Sequence, residues 1–217
     1  GRLAHQRKKL ADAQRAVLYE FGNIVPQGNG HLKRIDGMLE EPNSGLPILV
    51  REECRDLMAQ IAEKTARIEA KTKKVKELAE QTDMARRLQT MPGVGPMTAL
   101  AIEAFAPDMA SFRRGRDFSA WLGLVPRQHS SGGKERLGRV SKAGQTDIRR
   151  LLIIGAMSRL NWMGRRSIPE GSWLAEMLSR KPRMLVAIAL ANKMARQIWA
   201  MLTKKKDYRD PALAVAA

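Results

Sequence analysis

Two adjacent hydroxyls, Ser130 and Ser131, open the run Ser130-Ser131-Gly132-Gly133-Lys134 in the most cationic part of the chain. From Arg113 to Arg150 there are ten Lys/Arg against three acids, Asp117, Glu135 and Asp147. A serine ringed by cations suits phosphodiester chemistry, because charges that hold a phosphate also stabilise the charge of its transition state. Arg127, Lys134, Arg136, Arg139 and Lys142 flank the serines, each a candidate to bind phosphate or to lower the serine's effective pKa. The glycine and Lys-Ser/Thr spacing of a Walker A loop is absent. Against this stands the bland reading, a solvated Ser/Gly surface loop. No His or carboxylate is tied to Ser131 by spacing as a proton acceptor; His129 is merely close in sequence.

A second motif, Leu88-Gln89-Thr90-Met91-Pro92-Gly93-Val94-Gly95-Pro96-Met97-Thr98-Ala99-Leu100, resembles a helix-hairpin-helix. Gly93 and Gly95 permit positive φ and close approach, so amides of the hairpin and of the next helix can face one phosphate. Gly93, Val94, Gly95 and Thr98 are therefore candidate nucleic-acid contacts. Such contacts hold a backbone without reading its sequence. A tight inter-helix turn with no ligand is the plain alternative. Arg149 and Arg150, at the head of the apolar run Leu151 to Met157, are expected to turn their guanidinium groups toward nucleic acid or the Ser/Gly loop. Phe118, Trp121, Trp162, Trp173 and Trp199 read as core residues.

The 217 residues carry 39 Lys/Arg and 22 Asp/Glu, a formal net charge of +17. That excess destabilises a compact state by self-repulsion unless a polyanion offsets it, which makes nucleic acid the natural partner. A membrane protein is not expected: the most apolar segment, Met184 to Ala191, is too short to span and runs into Asn192 and Lys193. The single cysteine, Cys54, excludes an internal disulfide framework and reads as a helix-packing residue. His5, His31 and His129 show no metal-ligand spacing, so no metal or other cofactor is expected in these residues. A cytoplasmic, nucleoid-associated protein of bacterial type fits these features.

The elements that must carry these residues are mainly helical. Leu3, Leu10, Val17, Leu18 and Phe21 make an apolar stripe over a helix from Arg2 to Phe21, ended by Gly22. A Gly/Pro/Asn connector, a short helix at His31 to Leu39 and a second breaker at Pro42 to Gly45 follow. A long charged helix is expected over 47–87. Cys54, Ile61, Ile68 and Val75 recur in it at the heptad interval beside Leu57 and Leu78, an imperfect coiled-coil seam interrupted by Lys64 and Lys71. That seam predicts a homodimer or higher homo-oligomer, or else a helix lying on its own domain. A compact helical domain spans 88–208, with the hairpin, the Gly/Ser loop, a short ribbon at Glu135 to Val140, and helices near 147–162 and 182–202. Residues 1–46 read as a linker region and 209–217 as a tail, with fraying from Thr203.

Met91-Pro92-Gly93-Val94-Gly95-Pro96, then Phe112 to Pro126, then Ser130-Ser131-Gly132-Gly133-Lys134 and Gly138-Arg139-Val140-Ser141-Lys142-Ala143-Gly144 form an ordered series. The series resembles the C-terminal half of the insertion-sequence transposases related to the Piv DNA invertase. A weaker likeness at Arg2–Leu32 matches the linker after that family's acidic domain. The resemblance implies DNA strand cleavage and rejoining guided by an RNA that the element encodes. It makes Ser131 the nucleophile, with Ser130 as the fallback. It also implies a RuvC-like domain with four acidic residues and a divalent metal such as Mg, expected outside these residues, so that this chain alone binds nucleic acid and cuts poorly or not at all. A non-catalytic helix-hairpin-helix nucleic-acid-binding module is the alternative.

Overall fold

The computed structural model describes residues 1–41, 45–129, 137–163, 168 and 171–209. The chain divides into two compact units, Gly1–Lys74 and Val75–Ala217. Both are built of helices, as expected, and the strands among the described residues form one two-stranded ribbon.

In the first unit, α1 (Arg2–Glu20) is followed by α2 (Leu32–Glu40) and by the start of α3 (Ile48–Gln81). Gly22, at φ 78°, lets the amides of Gly22 and Asn23 turn back to the carbonyls of Tyr19 and Leu18 and so closes α1. The buried face of α1 differs from the stripe expected. Ala11, Gln14 and Leu18 are buried, while Phe21 is 40% exposed. Arg7, Ala11, Gln14 and Leu18 share one face at helical spacing. Arg7 Nη1 donates to Thr65 Oγ1 at 3.5 Å, and Leu18 clusters with Cys54, so this face lies antiparallel along α3.

That packing uses half of the heptad seam. Cys54, Leu57 and Ile61 are buried, and Cys54 packs among Leu18, Ile35 and Leu39. Burial raises the Cys54 thiol pKa above its ordinary value, with Glu53 adding to the shift. Farther along, Ile68 and Val75 are half-buried and Leu78 is 40% exposed.

The helix expected over 47–87 is two helices. Thr82 is extended (φ −110°, ψ 139°), and its hydroxyl accepts the amide of Ala85 at 3.2 Å as the N-cap of α4 (Asp83–Gln89). A Thr followed by an Asp in the first turn is a start signal, and it overrides the apolar periodicity that runs through it. The same hydroxyl donates to Glu103 Oε2 at 2.9 Å, tying α4 to α5 (Pro96–Phe105).

The second unit continues with α6 (Gly115–Trp121), β1 (Pro126–Gln128), β2 (Leu137–Val140), α7 (Thr146–Met163), α8 (Trp173–Arg180) and α9 (Arg183–Lys204). Helix α9 is its axis, touching α4, α6, α7 and α8. Val186, Ala187, Leu190, Ala191, Met194 and Ile198 form its inner face, against Phe118 and Leu122 of the α6 segment and Leu152 and Ala156 of α7. Each fully buried Leu, Ile, Met or Phe contributes about 1.5–3 kcal/mol. Phe112, Phe118 and Trp121 form an aromatic cluster with centroids 5.3–5.9 Å apart.

Two expected core residues are not in the core. Trp162 is 57% exposed and Trp173 is 37% exposed, whereas Trp199 is half-buried with its indole N–H donating to the Met109 carbonyl. The expected fraying after Thr203 is also corrected, up to Tyr208. Lys205 takes a left-handed cap at φ 52°, Asp207 pairs with Arg87, and the Tyr208 amide donates to Thr90 Oγ1 at 2.9 Å. Arg159 then donates to the Tyr208 hydroxyl, so the segment is strapped to both α4 and α7.

Candidate nucleic-acid interface

The ribbon that leads into the Ser/Gly loop stands on a fixed base. Strands β1 and β2 pair antiparallel, Pro126 with Val140 and Gln128 with Leu137, with an irregularity between the two pairs. Below them the backbones of two loops meet. A Cβ on Gly144 would fall 1.8 Å from the Trp121 carbonyl oxygen, and one on Gly123 would fall 2.0 Å from that of Ala143. Both glycines have positive φ, 68° at Gly123 and 86° at Gly144, so neither contact tolerates a side chain.

Arg149 joins these loops. It is only 9% exposed; its guanidinium donates to the carbonyls of Leu122 (3.0 Å) and Ala143 (3.2 Å) and to Thr146 Oγ1 (3.1 Å). The expectation that it faces nucleic acid is therefore corrected: its guanidinium is buried and bonded to carbonyls at the ribbon's two ends. Its neighbour Arg150 is exposed, as are Arg127, Arg139 and Lys142. Arg127 Nη2 donates to the Ser141 carbonyl across the ribbon. The His129 ring lies over Gly138, where a Cβ would approach its Cδ2 to 2.6 Å. Ser130, Ser131, Lys134 and Arg136 lie outside the described residues.

The hairpin between α4 and α5 is a packing device as well as an exposed turn. Gly93 has φ 91°, and its backbone abuts that of Gly155 in α7. The Val94 side chain is 5% exposed with its amide bonded to Met91 O, and Thr98 is 6% exposed. The Val94 amide is thus taken within the turn and its side chain is buried, which corrects the expectation of a contact at Val94; Thr98 has only its amide to offer a ligand. Gly95 is exposed, with no atom within 4 Å of the position of a Cβ. Beyond it the first-turn amides of α5, at Met97 and Thr98, lack helical acceptors and supply the positive end of the helix.

A groove that the sequence reading missed lies beside the ribbon base, between the start of α6, the ribbon, α8 and α9. It encloses about 950 Å³. Arg114, Arg116, Lys193 and Arg196 line it together with Trp173 and Leu185. Gly115 lets the α6 backbone close on α9, since a Cβ there would lie 2.9 Å from the Arg196 carbonyl oxygen. The Arg114 amide donates to Asp117 Oδ2 and so caps α6. The Arg-Arg-Gly-Arg sequence at 113–116 and the i, i+3 pair Lys193/Arg196 were the available signals. What joins them is tertiary.

Among the described residues no group of three or more His, Cys, Asp or Glu could hold a metal ion. No helix among them is long and apolar enough to cross a membrane.

Residues 85–169 match the IS116/IS110/IS902 transposase family. The matched residues include the hairpin, α5, α6, the ribbon and α7. Over nearly the whole chain there are similar proteins that carry transposase names. A "Probable family 20 transposase" of Pseudomonas aeruginosa is 37% identical over 210 residues, 96% of this chain and 62% of its own length. The transposase for insertion sequence element IS1111A of Coxiella burnetii is 34% identical over 96% of this chain and 57% of its own. That for IS1328 of Yersinia enterocolitica is 36% identical over 93% and 60%. The chain therefore spans only about six-tenths of the length of these relatives.

Proposed function

We propose that this chain is the nucleic-acid-handling part of a DNA transposase, supplying phosphate contacts and a serine nucleophile for strand cleavage and rejoining. The observation that carries the reading is the ribbon inside the transposase-family segment. It is pinned at both ends by Arg149, bears the exposed cations Arg127 and Arg139, and has the exposed Lys142 just beyond its second strand. Ser131, with Ser130 as fallback, attacks a DNA phosphorus; a phosphoserine ester forms and one deoxyribose hydroxyl leaves. Attack by a deoxyribose hydroxyl on that ester rejoins the strand and frees the serine. Arg127, Lys134 and Arg136 hold the phosphate and its transition-state charge. Arg139, Lys142 and Arg150, with the amides beyond Gly95, track the flanking backbone.

The divalent metal implied by the family likeness would be held by an acidic domain outside these residues, where it would stabilise charge on the reacting phosphate. A guide RNA and homo-oligomerisation complete the proposal. Cys54 packs inside its own unit, so it is not part of the proposed self-association surface.

The test is recombination by full-length protein with donor DNA, target DNA and guide RNA. Ser131→Ala is expected to abolish both recombination and the covalent protein–DNA adduct. Wild-type levels of both in S131A would overturn the nucleophile assignment and leave a binding module.

A further inference from the structure

The groove between α6, the ribbon base and α9 combines two surfaces that duplex DNA does not satisfy together. One is cationic: Arg114, Arg116, Lys193 and Arg196, with no carboxylate among the described lining residues. The other is apolar and partly open: Trp173 is 37% exposed and Leu185 is 44% exposed. A duplex stacks its bases inward and offers phosphates to such a surface, leaving the apolar wall unused. An unpaired strand offers both a charged backbone and bare base faces, and basic grooves with aromatic platforms bind it for that reason.

We propose that this groove takes an unpaired stretch of DNA, with bases against Trp173 and Leu185 and phosphates on the four cations. Two further features of the groove fit that occupant. Part of its wall is held without a ligand: Asn192 Nδ2 donates to the Leu124 carbonyl at 3.1 Å, and the Lys193 ammonium sits 4.7 Å from the Trp173 ring centroid. Finally, Pro126 and Val140, the paired residues at the ribbon's foot, are themselves lining residues. The foot of the ribbon is thus itself a wall of the groove. The proposal rests on the nucleic-acid reading above, which makes DNA the strand assigned.

The experiment is fluorescence anisotropy of the 217-residue chain with four labelled probes: oligo-dT, the same length of abasic deoxyribose-phosphate, a duplex, and oligo-U. Oligo-dT is expected to bind at least about tenfold tighter than the abasic strand, the loss expected when base stacking is removed. The double variant R116Q/R196Q, which alters two exposed side chains, is expected to lose about tenfold for oligo-dT and under threefold for duplex. Leu185→Ser is expected to weaken oligo-dT and leave the abasic strand unchanged. Equal affinity for oligo-dT and abasic strand, or variants indistinguishable from wild type, overturns the groove assignment while duplex binding keeps the broader reading intact. Oligo-U bound tenfold tighter than oligo-dT overturns the choice of DNA. Failure to bind any of the four overturns both readings.

Discussion

The backbone of Gly155 in α7 lies so close to that of Gly93 that a Cβ on Gly155 would meet the Gly93 carbonyl oxygen at 1.9 Å. The obstruction is backbone on both sides, so no rotamer change relieves it. Gly155→Ala raises helix propensity by about 1 kcal/mol, yet the clash dominates and net destabilisation of at least about 1–3 kcal/mol is expected in urea unfolding. Gly93→Ala adds a positive-φ penalty to a 2.7 Å contact with Gly155 O and should lose a comparable amount. Gly95→Ala, in open space, is expected to stay within about 1 kcal/mol of wild type. Equal stability of all three variants would remove the packing role from Gly93 and Gly155.

Arg149 and Arg150 are neighbours with opposite expected phenotypes. Arg149→Met strands two carbonyls that now share a charged donor and should cost about 2–4 kcal/mol of stability. Arg149→Lys is not expected to rescue it, since an ammonium cannot reproduce the fork that reaches Leu122, Ala143 and Thr146. Hydrogen exchange at Lys142, whose amide bonds to Gly123 O, should quicken in both variants. Arg150→Gln should leave the unfolding midpoint unchanged.

The exposed cations are predicted to act through phosphate alone. Arg127→Gln, Arg139→Gln, Lys142→Gln and Arg150→Gln are each expected to weaken duplex binding regardless of sequence and to reduce the log K against log salt slope by about 1. A sequence-dependent loss in any of them would reassign that residue to base contact.

Helical period, glycine breaks and charge made much of this legible. Helices α7 and α9 fall within two residues of the spans 147–162 and 182–202 expected from the sequence. The ribbon was half visible, because Glu135 to Val140 suggested a short ribbon while Pro126–Gln128 is too short to show a period. The roles of individual residues were less visible. Arg149 and Arg150 are the same residue type in adjacent positions, and only the third dimension turns one inward. Gly93 carries a turn signal in sequence, but its contact with Gly155 lies 62 residues away. The four groove cations come from two helices far apart in the chain, and no local spacing announces them. The Thr82 cap was readable and was outweighed by the heptad pattern around it.

Gln14 offers a stability gain. It is fully buried on α1, and neither its Nε2 nor its Oε1 has a hydrogen-bond partner among the described residues. Gln14→Leu removes a desolvated, unpaired amide of similar size and should stabilise the chain by about 1–3 kcal/mol. A lower urea midpoint in this variant would show that the amide is satisfied in solution.

Cys54 supplies a pH test with a definite sign. Its folded-state pKa is raised, chiefly by burial, so the folded protein keeps the thiol protonated where the unfolded chain ionises, near pH 8.5. The associated stability is complete below that pH and is lost as pH rises through the folded-state value. Urea midpoints measured from pH 7 to 10 should fall more steeply for wild type than for Cys54→Ala. Thiol-reagent labelling should be slow in buffer and fast in urea; fast native labelling would contradict the burial.

A single guanidinium, bonded to Leu122 at one end and Ala143 at the other, closes the chain between them as a covalent staple would. The ends of the serine-bearing segment are thereby held at a high effective concentration with respect to each other before any partner arrives. The entropy of bringing them together is spent during folding. Ligand affinity at the loop is in this way coupled to the integrity of a side chain that no ligand touches, and a lesion at Arg149 would present as weak binding by a largely folded protein.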